Sequence, residues 1–281
     1  MRASFSMFLF LVFSALALPG QVVDEGKKME IMQEGYLMFR LELASWQTVD
    51  RLRGFLSEGK EKGLAGYLTY PDGEAVRSIF YSAAEPPEIL ATVSFDKEAS
   101  PGSLVVDSTK RGARLGELLR IRLREAALEN IRNDDAFYAL YKHTGMSLVI
   151  LPGEKVHKVY FMIVPQIRGV VLFGNDYLLE FDAEMQLVKR EKLHNDLIQM
   201  VAVGEDESPN GRITSHQHGT GESVYMTATD VCTLMLYGQV TDWVGHRVFS
   251  PEFVSTWDME YEKLIIVNRK TFEQIVNSDS N

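Results

Sequence analysis

The chain has 281 residues, 46% of them hydrophobic and 24% charged, which is the composition of a globular protein and excludes a disordered or collagen-like chain. The 39 acidic residues outnumber the 29 basic ones, and the net charge of −10 argues against a general nucleic-acid binder or a protein that binds anionic membranes. The single cysteine, Cys232, excludes an intramolecular disulfide and a cysteine-based zinc finger, so a transition metal would need His, Asp and Glu ligands.

The first 20 residues have the pattern of a signal peptide. Arg2 precedes an apolar run at residues 5–18, and Ala15 and Ala17 supply the small residues of a cleavage site. This run is shorter than the roughly 20 residues that a membrane span needs, and no later apolar stretch approaches that length. We therefore expect export, to a bacterial periplasm or as a secreted protein, with no integral membrane segment in the mature chain. A lone cysteine suits an exported protein that does not rely on disulfides.

The rest of the chain divides by pattern into three parts. We expect an N-terminal α+β portion at residues 21–105, a second domain at 106–275 and a frayed polar tail at 276–281. In the N-terminal portion, apolar periodicity predicts one helix, at residues 48–62. It also predicts strands at residues 36–44, 66–69, 78–82 and 89–95.

The second portion opens with the clearest helical pattern in the chain. Apolar residues recur every four positions, and Ser108 is a candidate N-cap, so we predict a helix at residues 108–131. A second helix is predicted at 227–237, and strands at 147–151, 158–164, 169–173, 177–181, 187–193, 213–218, 247–249, 254–257 and 264–267. Gly174-Asn175-Asp176 is a hairpin-type turn signal between two of these strands. Many strands with few helices predict an α+β (mixed α/β) fold.

Two of the six histidines stand close together in the sequence, at His216 and His218. Residues two apart in a strand project from the same face, so both imidazoles can reach one ion. Asp230 lies in the first turn of the helix that Thr227 opens, where its carboxylate can turn back toward the end of the strand. Two imidazoles and a carboxylate make a three-ligand zinc site whose fourth position holds a water, and zinc lowers the pKa of that water enough to make it a nucleophile.

This arrangement resembles the signature of the JAMM metallopeptidases, also called the MPN or JAB-domain family, because His216-x-His218 is followed by Thr227-x-x-Asp230. The resemblance implies a JAMM-like sheet with flanking helices within residues 106–275. It implies Zn²⁺ held by His216, His218 and Asp230. It also implies that Thr227 helps to hold the oxyanion while a peptide or isopeptide bond of a protein substrate is hydrolysed.

The general acid/base of that family is a Glu that precedes the histidines. This chain has no Glu at residues 161–171, where the family places it, and we take Glu180 as the candidate ahead of Glu154. A fold without that Glu would bind metal with little or no peptidase activity, so the alternative function is a noncatalytic exported binding or scaffold module. The chain also resembles uncharacterised exported bacterial proteins that share the blocks GNDYLL and TDxCTLMLY, a likeness that implies no activity.

A third interpretation of the same residues is a cupin-type metal barrel. Gly211, His216, His218 and Glu222 approximate the first cupin motif, in which two His and a Glu bind the metal. A cupin needs a strand at residues 227–237, whereas the residues there have the capping and periodicity of a helix. The secondary structure of this segment therefore decides between the two interpretations.

Several of these residues also have simpler explanations. Asp230 fits the N3 position of a capping box with Thr227, a role that can coexist with metal binding. His194 is either a fourth ligand, a group that supports a ligand or an ordinary edge-strand residue, with the last favoured. We expect His246 to pack beside Trp243.

Overall fold

The computed structural model describes residues 22–57, 63–204 and 211–278, so the predicted signal peptide lies outside the described residues. These residues form four α-helices and fifteen β-strands, which confirms the mixed α+β class. The helices are α1 (Glu25–Ser57), α2 (Leu115–Asn133), α3 (Ala228–Tyr237) and α4 (Arg269–Ser278). The strands are β1 (Leu64–Asp72), β2 (Ala75–Ser82), β3 (Glu88–Asp96), β4 (Val105–Asp107), β5 (Arg111–Gly112), β6 (Thr144–Leu151), β7 (His157–Pro165), β8 (Val170–Gly174), β9 (Tyr177–Phe181), β10 (Leu187–Lys192), β11 (Leu197–Val201), β12 (Arg212–Gln217), β13 (Trp243–Phe249), β14 (Phe253–Asp258) and β15 (Lys263–Asn268).

The strands of this part of the chain pair into four sheets. The first has the order β1-β2-β3-β4, with β5 also paired to β3, and the second has the order β10-β9-β7-β6; all of these pairs are antiparallel. Strands β8 and β11 form an antiparallel pair of their own. The last sheet has the order β12-β13-β14-β15, in which β12 runs parallel to β13 and the other pairs are antiparallel.

The long helix α1 packs against α3. Met38 of α1 and Cys232 of α3 belong to the same core cluster. A Cβ at Gly35 would lie 2.7 Å from the Cβ of Val231, so the missing side chain lets the two helices approach closely. At 33 residues α1 is the longest helix, yet within the described ranges no helix is both long and apolar enough to cross a membrane. This packing fixes the direction of α3, whose first turn carries Asp230.

The hydrophobic core includes residues from both sides of position 105. One cluster of buried side chains combines Val76 and Phe95 from before this position with Val149 and Cys232 from after it. Burial of this kind stabilises the folded state by about 25 cal/mol per Å² of apolar surface removed from water. The two portions are therefore packed against each other in one shared core. The predicted boundary at residue 105 stays a prediction.

The strand predicted at residues 36–44 is wrong, because these residues lie inside α1. The helix predicted from residue 48 belongs to the same α-helix, which begins at Glu25. Buried residues recur at intervals of three and four along α1, as the helical period requires, at Ile31, Gly35, Met38, Leu41, Ser45 and Thr48. A run of adjacent apolar residues fits a buried strand as well as a helix, which is why the sequence pattern was ambiguous here.

The helix predicted at residues 108–131 begins later, at Leu115, and ends at Asn133. Strands β4 and β5 occupy the preceding residues by pairing with β3, so Ser108 is not an N-cap. The first turn of α2 is capped by Glu117 instead, because its Oε2 accepts a hydrogen bond from Arg114 N, at the N-cap position, at 2.7 Å. The tail predicted to fray from residue 276 is helical as far as Ser278, where α4 ends.

The turn Gly174-Asn175-Asp176 does not close a hairpin. Strand β8 pairs with β11, whereas β9 lies between β7 and β10, so the strands on either side of the turn belong to different sheets. Gly174 (φ 77°) and Asn175 (φ 49°) are both left-handed. A Cβ at Gly174 would lie 2.2 Å from the carbonyl oxygen of Asp196, so the close approach requires glycine. The turn leaves the side chain of Asp176 buried.

Candidate metal centre

Four potential metal ligands meet inside the protein. His194, His216, His218 and Asp230 each offer one ligand atom, and these four atoms all lie within 4.8 Å of one another. Each of the four residues is at most 5% exposed. The structure therefore brings together the three ligands predicted from the sequence and adds His194 as a fourth.

The separations between the ligand atoms suit a tetrahedral site. Nε2 of His218 lies 2.8 Å from Nε2 of His194 and 3.1 Å from Nε2 of His216. Oδ1 of Asp230 lies 3.3 Å from His194 Nε2 and 3.8 Å from His216 Nε2, and Oδ2 lies 3.7 Å from His218 Nε2. Four ligands bonded at roughly 2.0–2.1 Å in a tetrahedron lie about 3.4 Å apart. The observed separations bracket that value, so the four side chains could hold one metal ion.

Strand β12 directs two of the histidines to the same place. His216 lies within β12, where it is paired with Val248 of β13. The backbone N–H of His218 donates to the Phe249 carbonyl at 2.9 Å, which extends the ladder one residue beyond the end of β12. The strand spacing that puts residues two apart on one face therefore holds for His216 and His218, as predicted. His194 enters from the segment between β10 and β11.

Asp230 serves the helix and the site together. Its Oδ2 accepts hydrogen bonds from N and Oγ1 of Thr227, each at 2.8 Å, and its own N–H donates to Thr227 Oγ1 at 3.1 Å. The predicted capping box is thereby confirmed, with Thr227 as the N-cap of α3. Because the capping bonds fall on Oδ2, the other oxygen is left to face His194 and His216.

Each of the three histidines is oriented by a partner on its other ring nitrogen. His194 Nδ1 lies 2.5 Å from Asp176 Oδ1, His218 Nδ1 lies 2.8 Å from the Ser223 carbonyl oxygen, and His216 Nδ1 lies 2.8 Å from His246 Nε2. A proton on Nδ1 leaves the lone pair of Nε2 free for a metal, and partners of this kind fix the ring of a ligating histidine. Three Nε2 atoms and a carboxylate oxygen this close together repel one another unless a proton or a metal cation lies between them.

His246 both packs in the core and orients His216. Its Nδ1 lies 2.8 Å from Thr214 Oγ1, so a neutral His246 donates to this hydroxyl and accepts the Nδ1 proton of His216. Burial is the main cause that lowers the pKa of His246 to about 4, which keeps the ring neutral at pH 7. The ring stacks on Phe173 at 4.6 Å between centroids and lies 5.9 Å from the Trp243 ring, which confirms the predicted packing.

The charges around the site favour a divalent ion. Burial lowers the pKa of His216 well below its usual value, so this ring is neutral. Burial also opposes charge on His194, but the Asp176 and Asp230 carboxylates outweigh it and hold the pKa of His194 well above its usual value. Burial likewise opposes ionisation of Asp230, yet His194 and His216 keep its pKa well below the usual range. A dication would balance the charges of both buried carboxylates, which otherwise cost free energy away from water.

The two predicted catalytic residues are placed differently. Thr227 lies beside the site, but its Oγ1 is engaged with Asp230 and lies 2.8 Å from Thr229 Oγ1. Glu180 lies on β9, directly opposite Lys158 of β7 and Lys189 of β10, and is not one of the four grouped residues. The structure therefore holds Thr227 next to the ligands and does not bring Glu180 among them.

The cupin interpretation is wrong, because Thr227 caps a helix and the segment after it is α3 rather than a strand. Glu222, the third ligand of that interpretation, has a different role. Its two carboxylate oxygens accept hydrogen bonds from the backbone N–H groups of Asn195 and Gly219.

Sequence reasoning missed Asp176 and favoured an ordinary edge-strand role for His194, which is wrong because His194 lies between β10 and β11, is buried, and has its Nε2 2.8 Å from His218 Nε2. Both residues are distant from His216 in the sequence and reach the site only through the pairing of strands β8 to β11. One local signal for Asp176 existed, since it directly follows the Gly-Asn turn within the block GNDYLL. A polar side chain between two apolar strands needs a buried partner, and here that partner is His194.

Comparison of the chain with known protein families, with curated proteins and with solved structures gives no match. The resemblance to the JAMM family therefore stays a prediction. What the site can do follows from its own geometry and chemistry.

Proposed function

We propose that this protein binds one Zn²⁺ in a closed site of four protein ligands, His194, His216, His218 and Asp230, and that the ion stabilises the fold. The observation that carries this proposal is the convergence of three Nε2 atoms and a carboxylate oxygen within 4.8 Å, all buried. The outer partner on each histidine supports it, because such partners prepare imidazole rings to bind metal.

The donor set favours zinc over the harder cations. Mg²⁺ and Ca²⁺ prefer oxygen ligands in sites of six or more, whereas three imidazoles and one carboxylate in tetrahedral positions suit Zn²⁺. Other divalent transition metals also bind imidazole, so geometry and availability decide among them. The tetrahedral spacing of the four atoms is what favours zinc here.

The presence of a fourth protein ligand favours a structural role for the ion. Catalytic zinc keeps an open position for water, while structural zinc is bound by four protein ligands. His194 Nε2 lies 2.8 Å from His218 Nε2 and so takes the position that a three-ligand site leaves for water. This is the noncatalytic module of the sequence analysis, and we retain its predicted export as part of the proposal.

Metal analysis of the purified protein tests the proposal. We expect one zinc per chain in the wild type and His143→Asn, and loss of stoichiometric zinc in His216→Ala. His143 is the matched control because it is an exposed histidine, and Asn tolerates its left-handed backbone (φ 61°). Stripping and reloading the wild type repeats the test without a substitution. A wild type that takes up no stoichiometric zinc after reloading would refute the proposal.

A JAMM-like hydrolase is the second candidate function. It is favoured by the meeting of His216, His218 and Asp230, the three ligands that the resemblance implies. A cleft of about 260 Å³, bordered by Thr227 and Glu180 among others, lies beside the site and offers room for a peptide segment. In this function a water would have to replace His194 on the metal.

Replacing His194 separates the two functions. If the site is a JAMM-like hydrolase held closed, zinc-loaded His194→Ala should cleave peptide or lysine-linked isopeptide substrates faster than the wild type, because a water gains the fourth position. If the ion is structural, His194→Ala should lose affinity for zinc and gain no activity. We expect the second result, measured with fluorogenic substrates of both bond types. Cleavage that disappears on chelation and returns with zinc would favour the hydrolase.

A further inference from the structure

We propose that Glu222 is a latch that sets how fast the metal ion is taken up and released. The latch joins the two segments that carry His194 and His218, and this inference rests on the zinc site proposed above.

The carboxylate of Glu222 holds the residue that follows each of two ligands. Its Oε1 accepts a hydrogen bond from Asn195 N at 2.5 Å, and its Oε2 accepts one from Gly219 N. Asn195 follows His194 directly, and Gly219 follows His218. One side chain therefore fastens together two segments that are 24 residues apart at their histidines.

The same turn also orients one of the rings. Glu222 N donates to the Gly219 carbonyl at 3.3 Å, and the carbonyl of the next residue, Ser223, accepts from His218 Nδ1 at 2.8 Å. A displacement of this turn would therefore move the partner of His218 as well as the latch. Because both oxygens of Glu222 are engaged with backbone N–H groups, Glu222 is a positioning residue rather than a ligand.

The latch lies where the site is nearest to solvent. The four ligands are at most 5% exposed, whereas Asn195 and Gly219 are exposed and Glu222 is partly exposed. The stacked rings of Phe173 and His246 are packed in the core behind His216, and the cleft beside Thr227 also borders Leu193 and Ser223, next to the same two segments. An ion that enters or leaves without unfolding of the core would therefore pass where the two segments part.

The test measures release of zinc from the loaded protein to an excess of chelator. We expect roughly tenfold to a hundredfold faster release from Glu222→Ala, the range by which changes in outer partners weaken metal sites. Glu222→Gln should show a smaller increase, because its amide oxygen still accepts one of the two hydrogen bonds. Glu184→Gln makes the same change on an exposed turn and should release zinc at the wild-type rate.

A second measurement separates a latch from a ligand or a general structural role. The absorption spectrum of the cobalt-substituted protein should be unchanged in Glu222→Gln, since the four ligands are retained. Release at the wild-type rate from both Glu222 variants, or an altered cobalt spectrum, would overturn the latch while leaving the zinc site intact. If Glu222→Ala does not fold, the graded effect in Glu222→Gln decides alone. A wild type that binds no zinc refutes the proposed function and the latch with it.

Discussion

Removing zinc from the wild-type protein is expected to lower the midpoint of thermal unfolding by roughly 10 °C. An ion present at 1,000 times its dissociation constant stabilises the native state by about 4 kcal/mol, and each kcal/mol shifts the midpoint of a domain of this size by about 2–4 °C. The physical reason is that the ion joins β12, α3 and the segment before β11 and compensates the buried carboxylates of Asp176 and Asp230.

Calorimetry of one preparation before and after chelation gives this shift, and reloading with zinc should restore the higher midpoint. His216→Ala should melt at the same temperature with and without chelator, whereas His143→Asn should respond like the wild type. A metal-free wild type that melts within about 2 °C of the loaded protein would contradict a structural role for the ion.

Replacing Glu42 by Gln is expected to stabilise the protein at neutral and alkaline pH. Glu42 lies in α1, is 3% exposed, and has its Oε1 bonded to Ser147 Oγ at 2.5 Å. Burial raises the pKa of Glu42 from 4.5 to about 7, and the Ser147 hydrogen bond only partly opposes this. Burial disfavours the ionised form of this carboxyl. Gln is a neutral group of the same shape whose amide oxygen still accepts the hydrogen bond from Ser147 Oγ.

The sign of the pH dependence follows from the raised pKa. Below pH 4.5 Glu42 is mostly protonated in both the folded and the unfolded state, so it does not lower the free energy of unfolding. As the pH rises toward about 7, the unfolded chain ionises first and the free energy of unfolding falls; above that pH the loss is constant. A shift of this size corresponds to roughly 3 kcal/mol.

Urea unfolding of the wild type and Glu42→Gln between pH 5 and pH 8.5, both saturated with zinc, measures this difference. The advantage of Glu42→Gln should be smallest near pH 5 and should reach roughly 3 kcal/mol at pH 8. The pH dependence of the metal site is common to both and cancels. Glu184→Gln, an exposed carboxyl, should follow the wild type. Parallel curves for Glu42→Gln and the wild type would show that the pKa of Glu42 is not raised in the folded state.

Local patterns predicted most of the strands and the helix that carries Asp230. Alternating or continuous apolar runs located β1 to β3 and β12 to β15, and Thr227 and Asp230 marked the start of α3. The strands β4, β5 and β11 were missed. Strands β4 and β5 are only three and two residues long, and β11 is a five-residue run whose pairing with β8 no local pattern encodes. The middle of α1, residues 36–44, has the pattern of a strand because its apolar residues are largely consecutive, and the burial of Glu42 among them depends on the tertiary fold.

The candidate site was predictable where its ligands are close in sequence. The strand spacing of His216 and His218 and the capping position of Asp230 are local features, and both are found in the structure. The participation of His194 and Asp176 depends on how strands β8 to β11 pair, which no local pattern encodes. These distant residues change the expected chemistry, since His194 closes a position that the three-ligand pattern leaves open.

X-ray absorption at the zinc edge of the zinc-loaded wild type tests the closed site most directly. We predict a four-coordinate ion with three imidazole nitrogens and one carboxylate oxygen at about 2.0–2.2 Å, and the loss of one imidazole in His194→Ala. An ion with only two imidazole ligands and a bound water in the wild type would contradict the closed site and favour the open, hydrolytic arrangement instead.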